Sequence, residues 1–210
     1  LSVHEAFLDV LGFADLLVAN YGSSALYRNQ GDGTFLDVTG SAGLKGQEWT
    51  TSCLLADVNG DGLPDIYLAN YVGGREPLTR MCGSGNRRRA CRPDVFRAGQ
   101  DQLLVNQGTG AFRDVTLSAL PPDEGRGLGV VAADFEGTGQ LSILVANDMT
   151  PNHYHTNVRI QPDGTPVFEE NGLLSGLAVD EFGRSQASMG IALGDADQDG
   201  LLDCLVTNFY

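Results

Sequence analysis

A nine-residue acidic loop recurs along this chain in one register, and it constrains the fold more than any other feature. Residues 57–65 read DVNGDGLPD and residues 195–203 read DADQDGLLD. A third copy at 134–142, DFEGTGQLS, has lost part of the pattern. Each loop runs straight into an apolar segment that ends in Asn: DIYLANY (65–71), SILVAND (142–148) and DCLVTNF (203–209). A fourth such segment, DLLVANY (15–21), follows a loop two residues shorter, DVLGFAD (9–15), with Leu11 inside it. Repetition at this scale means stacked copies of one small structural unit.

The loops have the chemistry of a hard-cation site. Calcium takes six to eight oxygen ligands in a flexible cage. In the first full copy alternate positions offer Asp57, Asn59, Asp61, the backbone carbonyl of Leu63, and Asp65. In the second they offer Asp195, Asp197, Asp199, the carbonyl of Leu201, and Asp203. Gly62 and Gly200 occupy position six, where a sharp turn favours a residue without Cβ. The start resembles an EF-hand, D-x-[DN]-x-[DN]-G, but the twelfth residue is Leu68 or Val206, not Glu, and no helix pattern flanks the loop. Closure falls to the Asp at position nine. For a single loop, an Asp/Gly turn without an ion is the plain alternative; two full copies in one register favour the ion. In the third copy Asp134, Glu136 and Thr138 still offer oxygens, but Ser142 replaces the closing Asp, so a weak or empty site is expected there. No calcium is expected in the shortened loop 9–15.

Two further elements recur with the loop. Strand, Gly-rich hairpin turn and strand are spelled by ALYRNQGDGTFLDVT (25–39), QLLVNQGTGAFRDVT (102–116) and, more loosely, VRIQPDGTPVFEEN (158–171). Runs rich in small residues precede the loops: WTTSCLLAD (49–57), GLGVVAAD (127–134) and ASMGIALGD (187–195). The unit is therefore strand, acidic loop, strand, strand, turn, strand. Four short antiparallel strands in about 50–60 residues make one blade of a β-propeller. An all-β fold of about three and a half blades is predicted: an incomplete blade in 1–39, a blade in 47–116, a blade in 127–171, and a half blade in 177–210. The Asn residues that close the post-loop segments, at 20, 70, 147 and 208, are spaced by 50, 77 and 61 residues. The long interval reflects an insertion at 73–100 carrying Arg87, Arg88, Arg89 and a cysteine pair. Because an open ring exposes strand edges, the remaining blades are expected from a longer chain or from another subunit.

Composition sets the class of partner. The 210 residues hold 13 Lys+Arg against 27 Asp+Glu, a formal net charge of −14. Nucleic acid, which needs a positive field over its phosphates, is disfavoured. Two bound calcium ions would move the balance from −14 to −10. The 28 Gly suit many tight turns. No apolar run approaches the roughly 20 residues of a membrane helix. The chain begins at Leu1, so a targeting segment is expected to have been removed or left out. Cys82 and Cys91 flank MCGSGNRRRAC, and a disulfide across that loop is expected; Cys53 and Cys204 read as small buried thiols. A disulfide implies an oxidising compartment. Low-affinity calcium loops fit millimolar external calcium. The expected location is extracellular, at the cell surface or periplasmic.

These phrases resemble the FG-GAP-like, VCBS-type repeats of the ASPIC/UnbV family, which includes many secreted proteins. The matching stretches are LYRNQGDGTFLDVTGSAGL (26–44), ADVNGDGLPDIYLANY (56–71), GLGVVAADFEGTGQLSILVANDMTPN (127–152) and EFGRSQASMGIALGDADQDGLLDCLVTNF (181–209). The resemblance implies a seven-bladed, integrin-α-like propeller with calcium at 57–65 and 195–203. It also implies a non-enzymatic role in adhesion or ligand binding, with a protein or glycan partner. The family's C-terminal segment is not in this chain.

The remaining candidates are weaker. His153 and His155 share one strand face as a metal pair would, but no third ligand is evident, and a surface rim is expected for them. Arg87–Arg89 suits a sulfated glycan or other polyanion, or else a solvated loop. Trp49, Tyr71 and Tyr210 suit sugar stacking, with packing between blades as the default. No G-x-S-x-G elbow, no Cys/His pair at a recognisable spacing and no phosphate loop is present. A polysaccharide lyase or hydrolase on a calcium-stabilised propeller is the alternative function.

Overall fold

The computed structural model describes the backbone of residues 3–6 and residues 13–46, 48–74, 76–122 and 124–209. The chain is built of antiparallel sheets. The first holds β1 (Val3–Ala6), β2 (Asp15–Val18), β3 (Ala25–Asn29) and β4 (Phe35–Asp37), paired in that order. The second holds β5 (Thr50–Ala56), β6 (Asp65–Asn70), β9 (Gln102–Asn106) and β10 (Phe112–Asp114). Between β6 and β9 a small hairpin intervenes, β7 (Met81–Cys82) with β8 (Arg89–Ala90). The third sheet holds β11 (Gly127–Ala133), β12 (Ser142–Asn147), β13 (His153–Ile160) and β14 (Pro166–Glu170). β15 (Ser188–Gly194) and β16 (Asp203–Asn208) form a two-stranded sheet. Helix is confined, among the described residues, to short turns and two four-residue pieces, Thr116–Ala119 and Gly172–Ser175. None is long and apolar enough to cross a membrane.

Alternation of side chains explains how the sheets stack. Ile66 and Leu68 point one way from β6, into a cluster with Leu17, Leu26, Leu44 and Cys53 of the first sheet's side. Tyr67 and Ala69 point the other way, into a cluster with Ile143, Val145 and Phe168 of the third sheet. Leu104 and its neighbours Leu103 and Val105 divide across β9 in the same manner. The second strand of each complete inner sheet is buried on both faces, so β6 and β12 read as unbroken apolar runs rather than as alternating ones. Each fully buried Leu or Ile contributes roughly 1.5–3 kcal/mol.

The first strands of successive sheets lie side by side: β1 against β5, β5 against β11, β11 against β15. This crowding accounts for their small residues. A Cβ at Gly129 would stand 2.8 Å from the Met189 carbonyl oxygen, and one at Gly127 would stand 3.1 Å from Ala69 Cβ. Thr51 donates its hydroxyl to the Gly127 carbonyl at 2.6 Å, stitching two sheets together. Short bridges repeat the link: Tyr21 with Trp49, and Asp148 with Ala187. The outer face of the last sheet differs, with Leu205 65% and Phe209 71% exposed.

The 73–100 insertion is anchored at its base. Val72 bridges Ala98, and Gly73 N–H donates to Arg97 O at 2.9 Å. Cys82 and Cys91 are joined by a disulfide, with their Cα atoms 5.0 Å apart. Cys53 is buried, its thiol donating to Leu17 O at 3.8 Å, and Cys204 is half-buried with its pKa raised by burial.

Candidate metal centre

Each acidic loop joins the first strand of a sheet to the second, and all three described copies have one backbone form. Positions four and six are left-handed throughout: Gly60 and Gly62, Gly137 and Gly139, Gln198 and Gly200. The first Asp organises the turn. Asp57 accepts from Gly60 N (2.7 Å) and Gly62 N (2.8 Å). Asp134 accepts from Thr138 N and Gly139 N, both at 2.8 Å. Asp195 accepts from Asp199 N and Gly200 N, both at 3.0 Å. The amides of Gly139 and Thr138 hold the Asp134 carboxyl below its ordinary range.

In 195–203 the carboxylate oxygens of Asp195, Asp197 and Asp203 lie within 4.8 Å of one another, all exposed. Asp199 stands outside this trio, its Oδ1 accepting Leu201 N–H at 2.8 Å. Asp203 Oδ2 accepts from Ala196 N at 2.7 Å. In 57–65, Asn59 takes the place of Asp197. Its amide donates to Asp61 Oδ2 and to Gly164 O, both at 3.1 Å, while Asp61 Oδ1 accepts from Leu63 N at 2.9 Å. Asp65 is 1% exposed and accepts from Val58 N (3.1 Å) and Asn106 N (2.8 Å). Burial, more than the nearby Asp61 and Asp57, pushes its pKa up to about 7.

The third loop engages its glutamate in hydrogen bonds. Ser142 Oγ donates to Glu136 Oε2 at 2.9 Å, and the Tyr154 hydroxyl donates to Glu136 Oε1. Burial and this carboxylate raise the Tyr154 pKa. The shortened first loop, 9–15, falls largely outside the described residues, as does Tyr210. Its last residue is described: Asp15 Oδ1 accepts from Asn29 N at 2.7 Å.

Several partners escaped the sequence reading. The closing Asp is paired with an Asn at the end of the sheet's third strand, in the repeated phrase NQG: Asp15 with Asn29, Asp65 with Asn106. That phrase was the available signal. The 57–65 loop is also fastened to the next sheet, where Asn157 Nδ2 donates to Val58 O at 2.8 Å. Nothing in the local pattern announces so distant a contact.

The histidines depart from expectation. Their rings do share a face, 5.5 Å apart, but His155 is buried between sheets, with the Tyr67 ring 6.5 Å away. The strand carrying them starts at His153 and turns that face inward, so a rim position is wrong for His155. Burial, then the neighbouring His153, lowers its pKa to about 3. Among the described residues, neither histidine joins a group of three close metal-ligating side chains. Trp49 packs edge-on between Tyr21 and Tyr71, with ring centroids 5.6 Å apart on each side. Tyr71 is tied by its hydroxyl to Asp148 Oδ2 at 2.6 Å.

An all-β chain of four-stranded antiparallel sheets, with a repeated acidic loop between the first two strands, is the class that fold and site define. Residues 12–68 match the family model of the FG-GAP-like repeat, as the resemblance implies. The chain is similar to cartilage acidic protein 1 from Mus musculus and from Homo sapiens, 28% identical over 193 residues in each case. The likeness to the Xenopus tropicalis protein of that name is 28% over 194 residues. These alignments cover 89% of this chain and 24–25% of the relatives, so the chain spans about a quarter of their length.

Proposed function

We propose that the chain is part of an extracellular β-propeller whose blades are stiffened by calcium, and that it serves as a non-enzymatic binding scaffold. The observation that carries this reading is the convergence of Asp195, Asp197 and Asp203 within 4.8 Å. Three carboxylates this close repel one another unless a cation neutralises them. The donor set is all oxygen, as a hard cation requires. Asp195, Asp197, Asp199, Asp203 and the carbonyl of Leu201 would hold one ion; Asp57, Asn59, Asp61, Asp65 and the carbonyl of Leu63 would hold another. Bound calcium supplies fixed positive charge and needs no chemistry beyond that. The side chains do the rest: Asp65 ties its loop to β9, and Asn59 ties it to the β13–β14 turn of the next sheet. Filling that loop thus stiffens a sheet-to-sheet contact.

The three stacked sheets support the propeller reading, in which each would be one blade. The exposed face of β15–β16 is where a further blade would pack. The Cys82–Cys91 disulfide, and the likeness to proteins named for cartilage, support an extracellular place. Thermal unfolding across a calcium titration, with and without chelator, tests the reading. At about 100 times the dissociation constant each site adds ~2.7 kcal/mol, which raises the melting temperature by several degrees. A flat response in calcium would reduce the loops to turns and sink the calcium reading.

A further inference from the structure

We propose that the disulfide-closed hairpin of the 73–100 insertion is a docking site for a sulfated polysaccharide, gripped by Arg87, Arg88 and Arg89. The compartment of this partner rests on the extracellular reading above; the site itself does not depend on calcium.

Charge along the chain is sharply divided. Residues 73–100 hold seven of the 13 basic residues and two acids, Glu76 and Asp94, for a net +5. The whole chain carries −14, so the remainder carries −19. Topology then sets the insertion apart from the acidic loop of its own sheet. The acidic loop 57–65 joins β5 to β6, whereas the insertion joins β6 to β9. In an antiparallel sheet those connections lie at opposite ends of β6. The basic element thus stands about a strand's length from the loop carboxylates, where their opposing field is weakened by screening.

The hairpin is a fixed platform. The disulfide closes it, and Gly83 makes the tight turn with φ +86°, where a Cβ would meet Arg87 O at 2.4 Å. Phe96 is buried at its base, with the Arg80 guanidinium 5.9 Å above its ring and Arg126 donating to its carbonyl at 3.2 Å. Arg97 is held by Glu48 at 2.7 Å, Arg80 by Glu76 at 3.4 Å and Arg92 by Asp94 at 3.3 Å. Arg87, Arg88 and Arg89 are all exposed, and among the described ion pairs none includes them. At the foot lies a hollow of about 450 Å³ lined by Phe96, Arg97, Glu124, Arg126 and Thr150. Arginines pinned at the base and unpaired at the tip present donors to an anionic chain crossing the top.

Guanidinium forks match the oxygens of sulfate and phosphate alike. The acidic remainder selects between them. A stiff duplex or a membrane surface is broad enough to meet the −19 flanks, whereas a thin sulfated chain touches the hairpin alone. Three charge contacts to a polyelectrolyte predict a loss of roughly 20- to 40-fold in affinity between 50 and 200 mM salt.

The test uses the whole chain against an immobilised heparin-type oligosaccharide, its desulfated counterpart, double-stranded DNA and phosphatidylserine vesicles. Expected is binding to the sulfated chain only, with that salt dependence. The Arg87→Ser/Arg88→Ser/Arg89→Ser variant should bind at least tenfold more weakly at an unchanged melting temperature. Equal retention of variant and parent would overturn the proposal. So would equal binding to DNA or vesicles. Binding that vanishes in chelator, with the parent still folded, would assign the contact to the acidic loops instead. Persistence of binding in chelator supports the hairpin even if the calcium titration is flat.

Discussion

Asn106 donates its backbone N–H to Asp65 Oδ1 at 2.8 Å, so the residue that closes the acidic loop also fastens β6 to β9. Its other oxygen accepts from Val58 N. All three residues are buried. Asp199 is exposed, and among the described residues it is bonded within its own loop alone. The two positions should therefore respond differently to truncation. Asp65→Ala should lose roughly 1–3 kcal/mol for each orphaned buried N–H even in chelator. Asp199→Ala should change stability by less than about 0.5 kcal/mol in chelator and lose most of the calcium-dependent gain. Urea unfolding of both variants in both buffers checks this. Identical losses for Asp199→Ala in the two buffers would argue against an ion at 195–203.

The third loop offers the converse experiment. Glu136 accepts hydrogen bonds from Ser142 and Tyr154 where the full loops would use a cation. Ser142→Asp restores the missing carboxylate at a position only 2% exposed. In chelator the variant should be less stable, since a buried carboxylate then faces the Glu136 carboxylate. With calcium it should bind one more equivalent than the parent by calorimetry. An unchanged stoichiometry would mean that the loop's other positions, not residue 142, had already closed the site to calcium.

Gln198 holds the left-handed conformation, φ 65°, that Gly60 and Gly137 hold in the sister loops. A side chain there carries a strain that glycine avoids, partly offset by glycine's greater entropy when unfolded. Gln198→Gly should stabilise by ~0.5–1 kcal/mol, equally with and without calcium. Gly60→Gln should do the reverse. A gain seen only in calcium would show that position four acts through the ion and not through the backbone.

Gln198 also marks the boundary of what the sequence reveals. The strands were legible because their phrases recur: LYRNQGDG and LLVNQGTG specify the same turn, and DIYLAN and SILVAN the same doubly buried strand. Glycine at position six announced the sharp bend. Position four gave no such sign, because Gln stands where two glycines stand elsewhere. Contacts between sheets were hidden for a different reason. Asn157 reaches Val58 across 99 residues, and His155 meets Tyr67 across a sheet interface. No local period encodes those meetings. An H-x-H pair specifies a shared face, but which way that face points depends on the neighbouring sheet.

His155 makes that hidden interface sensitive to acid. Its ring is buried against Tyr67, its two nitrogens have no hydrogen-bond partner among the described residues, and its pKa is lowered to about 3 from an ordinary 6.5. The folded protein therefore keeps it neutral while the unfolded chain protonates it between those values. The unfolded state binds more protons in that window, so stability rises with pH there. The contribution is fully present above about 6.5 and is lost as pH falls toward 3, at up to about 1.4 kcal/mol per pH unit. His155→Phe fills the same apolar site without a titrating group. Its urea midpoint should fall less steeply between pH 6 and 4 than that of the parent, at fixed ionic strength and in chelator. Parallel pH profiles for the two proteins would move the acid sensitivity to the carboxylates and away from this interface.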